Sequence, residues 1–289
     1  MSLSYEEATI ALMKDDKYRQ LMTDTYLDAN PTAAALRYKD SEEFLEISGR
    51  LSREIKSKES PPLVLDVGAG NGVLSFALAE LGYRVIALEP GDGAITGRAA
   101  MRTIRETTKA QFEILEGWGE DIPLEDSSVD IVVARQVLHH ARSLQKMCAE
   151  IYRVLKKDGF FLALREHVIF KDGDLDVFLA NHPMHRLTRG ENAYSLPFYR
   201  DCIESAGFSD LKAYAFWDTV MNYAPLRKDE IDALWAKNLS KRLPFLPPVF
   251  FESFILKIFG VKYALRKLLN ILLRVPGIPY SFEARKSSD

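Results

Sequence analysis

The chain is predicted to adopt an α/β fold: a Rossmann-like, doubly wound, mostly parallel seven-stranded sheet with helical N- and C-terminal caps. Three observations carry this. From residue 62 to about 217, short apolar runs alternate with helical stretches, the mark of a parallel sheet covered on both faces. A glycine-rich turn, Gly68-Ala69-Gly70-Asn71-Gly72, joins the first run to the first helix of that series. Residues 1–60 read as helices with breaks and residues 241–289 differ in composition, so the alternating region is flanked by segments of another kind.

Residues 1–60 read as a helical cap. "SYEEATIALM" and "SEEFLEISGRLSREI" have helical spacing and start at serines suited to capping. Asn30-Pro31 marks a turn between them, and Pro61-Pro62 punctuates the chain before the first strand. The core spans 61–223. Six strand-like runs are visible in it: "LVLDV", "RVIALE", "FEILE", "VDIVVA", "GFFLALREHVI" and "LKAYAFW". Helical stretches fall at 71–81, 92–108, 142–156 and 197–206. Residues 170–196 interrupt the rhythm as an insert, and an insert of this length is usually functional or disordered.

Residues 224–289 read as a basic, amphipathic helical extension. Within 241–289, nine Lys or Arg face three acids, a balance of +6 against −9 for the rest of the chain. Leu256, Ile258, Phe259, Leu268, Leu269, Ile271 and Leu272 supply apolar faces, with Lys257, Lys262, Arg266, Lys267 and Arg274 between them. Such helices pack on a core, roof a site, form a homodimer contact or lie peripherally on a membrane. The first group of roles is favoured.

Composition narrows the class further. A net charge of −3 gives no basic surface for nucleic acid. Two cysteines, Cys148 and Cys202, have no metal or redox spacing. No signal-type N-terminus or long uncharged apolar run is present, so a cytoplasmic protein is expected.

The glycine turn follows an apolar strand that ends in Asp66, and the next strand ends in Glu89. In open α/β sheets ligands bind at the carboxyl ends of the strands, and an acid at the second strand can bind both ribose hydroxyls. Dinucleotide sites read G-x-G-x-x-G, but here the third glycine comes one residue early and Val73 takes the later place. Asp66 would repel a phosphate and attract a cation. S-adenosylmethionine (SAM) has a ribose, a sulfonium and an ammonium, and no phosphate. A ligand-free structural turn is the plainer alternative.

The segments "VLDVGAGNG", "ALEP", "GWGEDIPLEDSSVDIVVARQVLHH" and "MCAEIYRVLKKDGFFLALREH" resemble the class I SAM-dependent methyltransferases over about 60–217. The resemblance implies that Asp66, Gly68, Ala69, Gly70 and Gly72 line the methionine portion of SAM. It places Glu89, with Pro90 beside it, at the ribose. The main-chain carbonyl near Ala134 and Arg135 would take the ammonium. Many relatives carry an aspartate at the adenine where this chain has Trp118, so adenine is expected to meet Trp118, Gly119 and Glu120.

Methyl transfer needs alignment of the acceptor and often a base. The five histidines all fall between 139 and 185. Candidate catalytic residues are His140, Glu166, His167 and His185, with Asn192 and Tyr194 as partners for acceptor recognition. No metal is expected, since His182 and His185 lack further ligands at a suitable spacing. The expected activity is methylation of a small molecule, O-methylation preferred. The alternatives are a non-catalytic SAM-binding module with a protein partner, methylation of a lipid or lipid-linked acceptor, and a nucleotide-dependent oxidoreductase, which the glycine spacing opposes.

Overall fold

The computed structural model describes residues 2–55, 60–242, 246–255, 258, 260–272 and 274–287. Leu256, Lys257 and Phe259, assigned above to an amphipathic helix, lie outside the described residues.

Four helices open the chain: α1 (Tyr5–Lys14), α2 (Asp16–Asp24), α3 (Pro31–Lys39) and α4 (Glu42–Leu51). Ser4, Asp15, Asn30 and Ser41 cap them, each side chain accepting a main-chain N–H of the first turn. Asn30-Pro31, expected as a turn, is therefore the cap and first residue of α3.

The alternating region follows: β1 (Leu63–Val67), α5 (Val73–Glu80), β2 (Arg84–Leu88), α6 (Arg98–Thr108), β3 (Glu113–Leu115), β4 (Val129–Arg135), α7 (Leu144–Val154) and β5 (Leu155–Ile169). The insert holds α8 (Asp174–Asn181), α9 (Pro183–Thr188) and the two-residue β6 (Tyr194–Ser195). Then come α10 (Leu196–Ser205), β7 (Phe208–Tyr214), α11 (Val220–Tyr223), α12 (Lys228–Arg242), α13 (Pro248–Ser253), α14 (Val261–Leu272) and β8 (Ile278–Lys286).

The sheet order is β3-β2-β1-β4-β5-β8-β7, with β6 beside β5. Strands β1 to β5 run parallel, and β8 runs antiparallel between β5 and β7. From β1 the chain builds outward through β2 and β3, then returns to lay β4 on the other side of β1. That reversal opens a crevice at the carboxyl ends of β1 and β4. Successive strand residues face opposite sides, so Leu65 and Val67 join one buried cluster while Val64 joins the other.

β8 corrects the expectation of an all-helical extension. Its strand character lay hidden because Glu283, Arg285 and Lys286 gave it the look of the basic segment before it. Those charges are paired: Glu283 with Arg50 and the Tyr214 hydroxyl, Arg285 with Glu54 at 2.7 Å, and Lys286 with the Tyr152 carbonyl at 2.9 Å. Tyr280, Phe282 and Ala284 alternate inward and are buried.

The two ends of the chain have separate cores. In α1 and α2, Ala8, Leu12 and Met22 pack with Met184 of α9, so the N-terminus joins the insert. Helix α3 packs instead on α5 and α6. At the other end Trp217, Tyr223, Ile231, Trp235 and Phe251 form a cluster shared by 216–223 and α12–α13, with Leu265 and Leu269 of α14 against it. No helix among the described residues is long and apolar enough to cross a membrane.

Candidate functional site

A cavity of about 720 Å³ opens at the carboxyl ends of β1 and β4. One end is walled by the glycine turn and the other by histidines. Helix α1 and the insert cover it, with Tyr5, Glu6 and Met184 in the wall. Glu6 holds the cover to the core, since its carboxylate accepts from the main-chain N–H groups of Ile95 and Thr96 at 3.0 Å.

The turn has glycines for two separate reasons. Gly68 has φ +64°, and a Cβ there would lie 2.1 Å from Val137 Cγ2. Gly72 has φ +80° and starts α5, where a Cβ would meet Met101 at 2.6 Å. Gly68, Ala69 and Gly70 line the cavity, whereas Gly72 does not. The early third glycine thus belongs to the helix start rather than the wall.

Two carboxyls stand on this wall. Glu89 accepts from the main-chain N–H groups of Gly70 at 2.9 Å and Gly91 at 2.8 Å. Burial raises its pKa, and those N–H groups with Arg98 oppose the shift. Asp66 accepts from the Ser75 hydroxyl at 2.6 Å. Burial pushes it up to about 7 against that hydrogen bond and the Arg135 charge.

Pro90, Trp118, Gly119 and Glu120 also line the cavity. Trp118 is half exposed, with the Arg142 guanidinium 4.8 Å from its ring centre. Glu120 accepts from the Arg142 main-chain N–H at 2.7 Å. Of the pair expected at the ammonium, Arg135 lines the cavity and Ala134 lies beneath it, fully buried.

Beneath the cavity Arg135 and Arg165 share one acid. Arg135 binds Glu43 of α4 through Nε at 2.6 Å and Nη2 at 3.1 Å, and Arg165 Nη1 lies 3.6 Å from the same carboxylate. Burial alone would raise the Glu43 carboxyl, but the two guanidiniums hold it below its ordinary value. Arg165 also donates to the Ala224 carbonyl at 2.7 Å. Its role was not read from the sequence, although a charge inside so apolar a strand was the available signal.

At the far end His139, His140, His167, His182 and Glu191 converge on the cavity. His139 Nδ1 lies 2.6 Å from Glu166 Oε2, and Glu166 also accepts from the main-chain N–H groups of Val137 at 3.1 Å and His139 at 3.0 Å. Burial pushes the Glu166 carboxyl up to about 7 against those hydrogen bonds. His167 Nδ1 lies 2.9 Å from the Gly277 carbonyl, and His140 Nδ1 3.2 Å from the Gly190 carbonyl. Burial holds His139 and His167 well below the ordinary imidazole range, so both are neutral. Glu191 Oε2 is 3.7 Å from Nε2 of both His139 and His140.

The candidates therefore divide. His140 and His167 reach the cavity, and Glu166 stands behind His139 without lining it. His185, Asn192 and Tyr194 do not line it. Tyr194 instead donates to the Ala141 carbonyl at 3.3 Å. Among the described residues, none from 192 onward lines the cavity, and the cover comes from α1 and the insert.

Residues 65–163 match the family described as the methyltransferase domain. Over this segment the chain is similar to methyltransferase domains, the family its sequence resembles. The uncharacterized methyltransferase YcgJ of Bacillus subtilis (strain 168) is 31% identical over 147 residues, 50% of this chain and 56% of that protein. The ubiquinone/menaquinone biosynthesis C-methyltransferase UbiE of Brucella anthropi is 30% identical over 102 residues, 35% of this chain and 39% of that protein. The chain thus spans about half or less of the length of these curated relatives. Among solved structures, the Haemonchus contortus phosphoethanolamine N-methyltransferase 2 in complex with SAM has a TM-score of 0.53 at 16% identity, over 99% of this chain and 60% of that one. The [4+2]-cyclase SpnF has a TM-score of 0.51 at 14% identity, over 84% and 81%. The methyltransferase fold is thus shared with a protein named for another reaction, and the chemistry has to be argued from the site.

Proposed function

We propose that the chain transfers a methyl group from SAM to a small-molecule acceptor held at the histidine end of the cavity. The observation that carries this is one continuous cavity with the glycine turn, Asp66 and Glu89 at one end and a cluster of ring nitrogens at the other.

The wall suits this cofactor. Gly70 has open space where a Cβ would stand, so a ligand can approach its backbone. Glu89 keeps lone pairs for ribose hydroxyls beyond the two N–H groups that orient it. Asp66 is a buried carboxyl that a cationic ligand would stabilise in its ionised form. In this reading Asp66, Gly68, Ala69 and Gly70 hold the methionine portion, Glu89 and Pro90 the ribose, and Trp118, Gly119 and Glu120 the adenine side. Main-chain carbonyls near Ala134 and Arg135 remain the choice for the ammonium. Bound SAM supplies an electrophilic methyl on a sulfonium that leaves as a neutral thioether.

His140 is the base we favour. A carbonyl oxygen can only accept, so its contact with Gly190 keeps the proton on Nδ1 and leaves Nε2 free to take one from the acceptor. An acceptor hydroxyl fits this arrangement, which favours O-methylation. His140→Ala is expected to lower turnover by about 100-fold while SAM affinity stays within about twofold. Mass spectrometry of products from a panel of hydroxyl, amine and activated-carbon acceptors, some of them lipid-borne, reads the turnover. Equal loss of turnover and SAM affinity would remove His140 from the role of base.

A lipid-borne acceptor has one specific observation in its favour. Phe254, Tyr263, Ile271 and Leu272 are each more than half exposed on or beside α13 and α14. Exposed apolar groups of this kind mark contact surfaces when they cluster.

A further inference from the structure

Three ligand-type side chains from separate segments meet at the histidine end. His139 follows β4, His167 lies on β5 and Glu191 follows α9. Each presents one ligand atom, and the three atoms lie within 4.8 Å of one another.

The two imidazoles are already oriented from behind. His167 Nδ1 faces the Gly277 carbonyl at 2.9 Å, so the proton sits on Nδ1 and Nε2 is an open lone pair. Gly277 is suited to this position: its φ is +80°, and a Cβ there would lie 2.0 Å from Phe178, which packs against His167. His139 Nδ1 is backed by Glu166, whose oxygens also accept two main-chain N–H groups. A carboxylate or carbonyl behind the ring is how metal-bound histidines are held.

The spacing in front points the same way. His139 Nε2 and Glu191 Oε2 are 3.7 Å apart, too far for a hydrogen bond. Two donors on one tetrahedral ion, each about 2.1 Å from it, would stand roughly 3.4 Å apart. His182 is not a competing ligand at Nδ1, which accepts from the His185 main-chain N–H.

We propose that His139, His167 and Glu191 form a three-ligand site for a divalent transition metal of the zinc type, with its open position toward the cavity. Two imidazoles and one carboxylate are the donor set of open zinc sites, and nitrogen donors select such ions over magnesium or calcium. Ligand spacing along the chain does not reveal this site, because its three ligands are brought together only by the fold. The inference rests on side-chain geometry and does not depend on methyl transfer.

The test is a titration of the chelator-treated full chain with Co²⁺, followed by visible absorption. The expected result is one equivalent per chain, with the strong bands of a low-symmetry tetrahedral ion, displaced by Zn²⁺. His167→Ala and Glu191→Gln should each weaken Co²⁺ binding by more than the roughly 10- to 100-fold cost of losing an outer partner. SAM titration of the same variants reports whether they fold, and separates failure of this site from failure of the cofactor reading. Should a variant not fold, electron paramagnetic resonance of Cu²⁺ on the unmodified chain gives an independent result, with two coupled imidazole nitrogens expected. Absence of stoichiometric Co²⁺ binding, unchanged affinity in folded variants, or Cu²⁺ without coupled imidazoles would each overturn the proposal.

Discussion

A chain ending at Gly277 is expected to lose its folded core. The deletion removes β8, which lies inside the sheet and pairs on both sides. Burying Tyr280 and Phe282 stabilises the fold by about 1.5–3 kcal/mol each. The ladders to β5 and β7 go with them, as do the Arg50–Glu283 and Arg285–Glu54 pairs. A typical domain has only about 5–15 kcal/mol in total. Two newly exposed strand edges would then promote aggregation. Size-exclusion chromatography and thermal unfolding of the truncated chain should show aggregates and no cooperative transition. A monodisperse protein with an intact transition would mean that β8 is dispensable.

The second large effect is expected at Glu43. Its side chain has no exposed surface, and it neutralises Arg135 while facing Arg165. Glu43→Ala would leave two buried guanidiniums without their acid, at a cost of about 3–5 kcal/mol. In a chain of this size the melting temperature should fall by roughly 10 °C. Linkage gives a further expectation. The Glu43 pKa is lowered in the folded chain, so its stabilisation is present above the unfolded carboxylate value and is lost as pH falls through the lower folded value. The melting difference between the parent and Glu43→Gln should therefore be constant near neutrality and shrink only in acid. A Glu43→Ala variant as stable as the parent would show that the arginines find other partners.

These expectations differ in how far they could be read from the sequence. The glycine turn, Asp66 and Glu89 lie within one strand-helix-strand unit, where local chemistry sets both geometry and role. Their place on one wall was therefore legible. Trp118 was legible as a lining candidate but not as the ring under Arg142, because that contact comes from a loop beyond β4. β8 was missed because a strand with charged ends is recognised by its partners, and those partners are distant in sequence. The metal-type cluster was missed for the same reason: His139, His167 and Glu191 become neighbours only when β4, β5 and the insert meet. His185 shows the converse error. Its place beside Glu191, Asn192 and Tyr194 in the long insert suggested acceptor recognition, yet it lies on α9 and does not line the cavity, whereas His182 does.

The central claim is that this cavity is built for SAM. Calorimetric titration of the full chain with SAM, and separately with NAD, tests it most directly. The account predicts a SAM dissociation constant on the order of micromolar and no comparable heat with NAD. Glu89→Ala should weaken SAM by about 1.5–3 kcal/mol, since the lost hydrogen bonds involve a charged acceptor. Glu89→Gln, which retains one acceptor oxygen for the turn, should lose less. Binding of NAD as tight as SAM, or SAM affinity unchanged in Glu89→Ala, would contradict the account.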